Sequence, residues 1–119
     1  MRNQYELLKT LVEFTNECEN IEFVINVNYG GFVLSKEAYD ELEIEWDGYG
    51  MKYANSGRAD PKLLNVIKQL GEKASNFSEF EIVEIPTKMI FSAFLKNYDG
   101  KESLTVNAED FNTPLWEMI

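Results

Sequence analysis

The sequence contains no histidine and a single cysteine, Cys18, among its 119 residues. Without histidine the chain lacks the commonest general base and metal ligand, which excludes Ser-His-Asp and Cys-His catalytic arrangements. A lone cysteine excludes an internal disulfide, and the N-terminus does not resemble a signal peptide, so we expect a cytoplasmic protein. No apolar run approaches the ~20 residues that a membrane-spanning helix needs, and we expect no membrane association.

Basic residues are also scarce. The chain has 11 Lys and Arg residues against 21 Asp and Glu residues, which gives a net charge of −10. The excess is concentrated in two segments. Residues 36–47 hold six acids and one Lys, and residues 102–119 hold four acids and no base. The rest of the chain is close to neutral. This distribution predicts a shaped anionic surface that binds a protein, and it argues against direct binding of nucleic acid, whose phosphates it would repel.

The composition is that of a folded domain, because 45% of the residues are hydrophobic and 13% are aromatic. Length predicts one domain over residues 1–119, with 107–119 as a loosely docked acidic tail. Ser35 is the expected N-cap of one helix, and Asp60-Pro61 is a strong start signal for another. The predicted helices are 3–17, 36–42 and one that begins at 61; the predicted strands are 21–27, 32–34, 51–54, 80–85, 89–95 and 102–106. Residues 32–34 read equally well as a bulged continuation of the first strand.

Strands mixed with two or three helices favour an α+β class, with a mostly antiparallel sheet and the helices packed on it. Asn97-Tyr98-Asp99-Gly100 predicts a hairpin turn, because Asp-Gly tolerates the positive φ that two-residue turns need.

Several short motifs follow one another in a recognisable order. They are Tyr29-Gly30-Gly31-Phe32 with Leu34-Ser35, Arg58-Ala59-Asp60-Pro61, Leu70-Gly71 with Ala74, Val83-Glu84-Ile85-Pro86, and Tyr98-Asp99-Gly100 with Glu102. This order resembles a family of small uncharacterised proteins of bacteriophages and large viruses, with the pattern YGGF-L-S, R-x-D-P, LG-x-x-A, VEIP and YDG-x-E. The resemblance spans roughly residues 24–104 and implies a viral origin.

The chain departs from that family pattern in both acidic segments. Residues 43–50 form an acidic, insertion-like stretch, and Asn107-Ala108-Glu109-Asp110 stands where the family has a basic terminus containing histidine. Any function that this chain has acquired is therefore expected in these two segments.

Other candidate sites carry weaker signals. Arg58 and Asp60 lie in a loop before a helix. Either they form a site, or Asp60 caps the helix and Arg58 pairs with a carboxylate or a backbone carbonyl. The acids of residues 37–47 lack the ligand spacing and central glycine of a calcium loop, so we expect no metal and no cofactor. Paired carboxylates acting as acid and base leave a small carboxylate-dependent enzyme as one alternative.

Our leading hypothesis is a virus-encoded inhibitor that is not an enzyme. Its acids would occupy the basic nucleic-acid groove of a host protein, such as a CRISPR effector nuclease or a restriction enzyme. A viral accessory, structural or assembly protein that binds another protein without such mimicry is the main alternative. Trp46 and Tyr49 either anchor their loop or form contact hot spots. The candidate partner-binding residues are Glu37, Asp40, Glu41, Glu43, Glu45, Trp46, Asp47, Tyr49, Glu109 and Asp110.

Overall fold

A two-stranded antiparallel ribbon lies at the centre of the computed structural model, which describes residues 20–109 and 112–119. Strand β1 (Asn20–Asn26) pairs with β2 (Phe80–Pro86), in a register that places Phe23 opposite Val83 and Val24 opposite Ile82. Successive side chains point to opposite faces of a strand. Because Phe23 and Val24 are both fully buried, the ribbon is apolar on both faces and separates two hydrophobic cores.

Helices cover one face of this ribbon. They are α1 (Lys36–Glu41), α2 (Pro61–Leu70) and a 3-10 turn at Gly71–Ala74. Their apolar sides pack with Val24 and Ile82 to form the first core. Both expected caps are confirmed: the Ser35 hydroxyl accepts from the amide of Ala38 at 3.1 Å, and the Asp60 carboxylate accepts from the amide of Lys62 at 3.0 Å.

A small second sheet covers the other face. Strands β3 (Phe94–Tyr98), β4 (Lys101–Thr105) and β5 (Thr113–Pro114) are arranged in the order β4-β3-β5, and every neighbouring pair is antiparallel. A short helix, α3 (Leu115–Met118), follows β5, and a 3-10 turn at Thr87–Met89 follows β2. Phe23, Leu95 and Leu115 belong to this second core.

The antiparallel sheets with their packed helices confirm the α+β class. The hairpin turn at Asp99-Gly100 is confirmed as well, with positive φ at both residues. The predicted helix 3–17 lies outside the described residues. Within the predicted tail 107–119, Leu115 and Met118 are buried in the second core.

Two predicted strands, 32–34 and 51–54, are wrong because their amides are bonded elsewhere, and a third starts later than predicted. At 32–34 the amide of Leu34 donates to the carbonyl of Gly50, without a paired strand. At 51–54 the amide of Lys52 donates to the Tyr39 hydroxyl, and the segment is a turn. The strand predicted over 89–95 begins only at Phe94, because the amide of Ala93 closes a helical turn onto Met89.

A buried ion pair joins the two layers. Arg58 is fully buried, and its guanidinium makes a bidentate contact with Glu102, with both N–O distances at 2.8 Å. The remaining N–H groups donate to the carbonyls of Val24, Tyr53 and Ala54, so all five guanidinium N–H groups are bonded. The Phe32 ring lies 3.7 Å beneath the guanidinium carbon. A buried charge is tolerated only with such complete pairing.

Replacing Glu102 by Gln is expected to lower the free energy of unfolding by about 3 kcal/mol or more, because Arg58 then stays buried without its counter-charge. The measurement is urea unfolding followed by far-ultraviolet circular dichroism. Glu22→Gln is the matched control, because it breaks the exposed ion pair with Lys68, for which we expect at most about 1 kcal/mol. Equal losses in the two variants would contradict the structural role assigned to Arg58.

Candidate protein-binding surface

Helix α1 presents its carboxylates to solvent because its apolar side is fixed in the first core. Ala38 and Tyr39 are buried, so Glu37, Asp40 and Glu41 face outward. Glu43 and Glu45 follow the helix and are also exposed. We call the carboxylates of Glu37, Asp40, Glu41, Glu43 and Glu45 the acidic surface.

The acidic surface is not neutralised by the described part of the chain. Within residues 20–109 and 112–119, ion pairs join Arg58 to Glu102 and Lys68 to Glu22, and none involves the acidic surface. Glu37 and Glu41 lie one helical turn apart, a spacing of about 5–6 Å between Cβ atoms. The surface therefore offers several negative charges over a short distance that no described residue pairs with.

Asp47 has a different role from its acidic neighbours, although it is exposed. One oxygen accepts from the amides of Tyr49 and Gly50, at 2.8 and 2.6 Å, and the other accepts from the Tyr39 hydroxyl at 2.9 Å. The bonds from Gly50 and Tyr49 lower the pKa of Asp47 to about 2. Asp47 thus holds the loop that follows the acidic surface, and its oxygens are mostly used internally.

Tyr39 secures the same loop from the core. Its ring is fully buried, and its hydroxyl donates to Asp47 and accepts from the amide of Lys52 at 2.9 Å. Burial, followed by the neighbouring Asp47, raises the pKa of Tyr39 to about 12, so the hydroxyl remains a donor over the whole physiological range.

The two predicted aromatic contacts differ in their surroundings. Trp46 packs edge-on against Tyr39, with ring centroids 4.9 Å apart, and is 38% exposed, so it partly anchors the loop. Tyr49 is 75% exposed and anchors nothing in the described residues, while its backbone is fixed through Asp47. An exposed aromatic ring whose backbone is fixed among carboxylates is a candidate interface hot spot.

The backbone at Glu43 is unusual for its residue type. Its amide donates to the carbonyl of Asp40, and the amide of Ile44 donates to the carbonyl of Tyr39, which together form the Schellman ending of α1. Glu43 occupies the position of this motif that glycine normally takes, with φ at +57°. A side chain there destabilises the fold.

The second acidic segment does not extend the acidic surface. Glu102 is buried in the ion pair with Arg58. Glu109 is exposed but follows β4, in the layer on the other side of the β1–β2 ribbon from α1. Asp110 lies outside the described residues. Of the residues predicted to bind a partner, those of the segment 37–49 lie on α1 and the loop after it, and Glu109 follows β4.

The loop residues Arg58 and Asp60 do not form a site, because Asp60 caps α2 and Arg58 is bonded internally. The sequence did not reveal that Arg58 pairs with Glu102, which is 44 residues away. The only local signal for the role of Asp47 was its position before Gly48 and Gly50, since Asp commonly bonds the backbone amides of a following turn.

Comparisons with known proteins identify no relative of this chain. No protein-family model, curated protein or solved structure matches the chain. In the described residues, no helix has the length and apolar character to cross a bilayer, and no group of three or more acidic or cysteine side chains is placed to hold a metal ion.

The carboxylate of Asp47 is expected to titrate with a midpoint near pH 2. Because its pKa is lowered in the folded state, its contribution to stability is complete above pH 4 and is lost as the pH falls from about 4 to about 2. The amide resonances of Tyr49 and Gly50 should report this titration in NMR spectra, and Asp47→Asn should abolish it. A midpoint at pH 4 would refute the assigned bonds.

Glu43→Gly is expected to raise the free energy of unfolding by about 0.5–1 kcal/mol and the melting temperature by a few degrees, because it relieves the positive φ. Glu45→Gly is the control, because it removes the same charge at a nearby position that has no positive φ. It should not raise the free energy of unfolding. Thermal unfolding compares the two. Equal stabilisation would show that charge, and not backbone conformation, governs the effect.

Proposed function

We propose that this protein is a virus-encoded inhibitor that acts by binding. Its acidic surface occupies the basic nucleic-acid groove of a host defence protein, of the CRISPR effector or restriction enzyme type, in the cytoplasm of the infected cell. The observation that carries the proposal is the set of five exposed carboxylates that the described residues leave unpaired.

The acidic surface is unfavourable for the fold that carries it. Glu37 and Glu41 are like charges one turn apart, at a cost of about 0.2–0.5 kcal/mol. Asp40 and Glu41 stand at the C-terminal end of α1, where the helix dipole favours cations and the last turn has none. Glu43 occupies a glycine position. Since each of these choices weakens the domain, binding to a cationic partner is the better explanation for them.

The mechanism is competition for the partner's Lys and Arg side chains. A DNA duplex presents about one charge per 1.7 Å of its axis, and the acidic surface presents carboxylates a few ångströms apart. A groove that binds phosphates would attract both, and electrostatic steering would accelerate association with the anionic protein. Direct binding of nucleic acid and of anionic membranes is disfavoured by the same charge.

The exposed Tyr49 favours one second candidate, a viral accessory or assembly protein that binds another protein without mimicry. In that case the aromatic ring, which is 75% exposed, would dominate the interface instead of the charges. The two candidates differ in their response to salt, because an apolar interface is nearly insensitive to it.

Replacing all five carboxylates of the acidic surface by glutamine is expected to abolish inhibition while the fold is retained. The assay is DNA cleavage by purified CRISPR effectors and restriction enzymes, measured over a series of inhibitor concentrations. For the enzyme that is inhibited, affinity should fall by about tenfold or more between ~0.1 and ~0.5 M salt, and added nucleic acid should compete.

The matched control removes five exposed carboxylates elsewhere and has the same net charge. It carries Gln at Glu72, Glu79, Glu81, Glu84 and Glu117. This control should inhibit almost as well as the native protein. Equal inhibition by both variants, or an affinity that salt leaves unchanged, would exclude mimicry; in the second case, loss of binding in Tyr49→Leu would support the accessory role.

A further inference from the structure

Two glycine-rich turns from distant parts of the sequence meet at one end of the molecule. The first follows β1 at residues 28–31, and the second is the hairpin turn between β3 and β4. The amide of Gly30 donates to the carbonyl of Asp99 at 2.8 Å. The backbones are so close that a side chain at position 100 would overlap the nitrogen of Gly31.

A buried amide holds both turns from beneath. The Asn26 side chain is fully buried and donates to the carbonyls of Asn28, Gly31 and Gly100, at 2.7–2.8 Å. The backbone amide of Asn26 donates in turn to Glu102, the partner of Arg58. The turns are thereby tied to the central ion pair, which fixes their positions relative to each other.

Each turn carries a tyrosine that the fold leaves in solvent. Tyr29 is 55% exposed and Tyr98 is 67% exposed. Their ring centroids are 6.4 Å apart, with planes at 68°, so the rings form an edge-to-face pair, and we call the surface of this pair the tyrosine notch. Aromatic side chains on a backbone that is already immobile lose little entropy on binding and are efficient contact residues.

Several acceptors of the two turns are bonded internally, while donors of the tyrosine notch remain at the surface. The carbonyls of Gly31 and Gly100 accept from Asn26, that of Asp99 accepts from Gly30, and the side-chain oxygen of Asn97 accepts from Gly100. Two phenolic hydroxyls and the Lys101 ammonium, which lies 5.5 Å from the centroid of the Tyr29 ring, remain at the surface. Among the described residues, the charged acceptor left at these turns is the carboxylate of Asp99.

We propose that the tyrosine notch binds a proline-rich segment of a partner protein in the polyproline II conformation. Such a segment has apolar rings that stack on aromatic side chains, and its backbone carbonyls need donors because proline has no N–H group. Lys101 repels a cationic ligand, and the net charge of −10 repels a polyanion.

The probe is a decaproline peptide titrated into the full-length protein, with the amide resonances of residues 28–31 and 97–101 as the readout. We expect saturable shifts at both turns, and none with a Gly-Ser peptide of the same length. Tyr29→Leu with Tyr98→Leu should weaken binding by about tenfold or more. Phe91→Leu, which removes an exposed ring near the other end of β3, should leave the affinity unchanged.

Replacing both tyrosines by phenylalanine keeps the rings and removes the hydroxyl donors, so the affinity should lie between those of the native protein and the leucine variant. If the phenylalanine variant binds the peptide as tightly as the native protein does, the tyrosine hydroxyls are not donors to the ligand. An absence of saturable shifts at millimolar peptide, or full affinity in the leucine variant, would overturn the site. Shifts of the same amides with a chito-oligosaccharide but not with decaproline would reassign it to a sugar.

Discussion

The fold depends on one buried charge and its complete satisfaction. Arg58 contacts Glu102 on β4, a carbonyl of β1 and two carbonyls of its own loop, and its guanidinium rests on Phe32. Glu102 also accepts the amide of Asn26, which positions the two turns. In a low-dielectric interior, such a network is costly when any member is missing, and it specifies one arrangement when all are present. The layers on either side of the ribbon are joined through this network.

The carboxylates of this protein serve two separate purposes. Glu102 and Asp47 are bonded internally, one to a guanidinium and the other to backbone amides and a tyrosine hydroxyl. Glu37, Glu41 and Glu43 face solvent, and Glu41 and Glu43 lie at helix and turn positions that stability alone would assign to other residue types. The number of acidic residues therefore overestimates the anionic surface that is available to a partner. The structure shows which carboxylates remain available.

The two proposed binding regions use the same physical device, an exposed aromatic on an immobilised backbone. Asp47 fixes the loop of Tyr49, and Asn26 fixes the turns of Tyr29 and Tyr98. They differ in their surroundings, because the loop is rich in carboxylates while the turns offer Lys101 and hydroxyl donors. We therefore assign them to different kinds of ligand.

Local sequence determined the features that need only local interactions. Ser35 and Asp60 cap their helices and Asp99-Gly100 makes its turn, because each bond joins residues within a few positions. A contact across tens of residues decided the partner of Arg58 and the internal role of Glu102. The strands expected at 32–34 and 51–54 do not form, because side chains accept hydrogen bonds from their backbone amides. Only the tertiary structure brings those groups together, since no sequence pattern encodes which distant donor meets which acceptor.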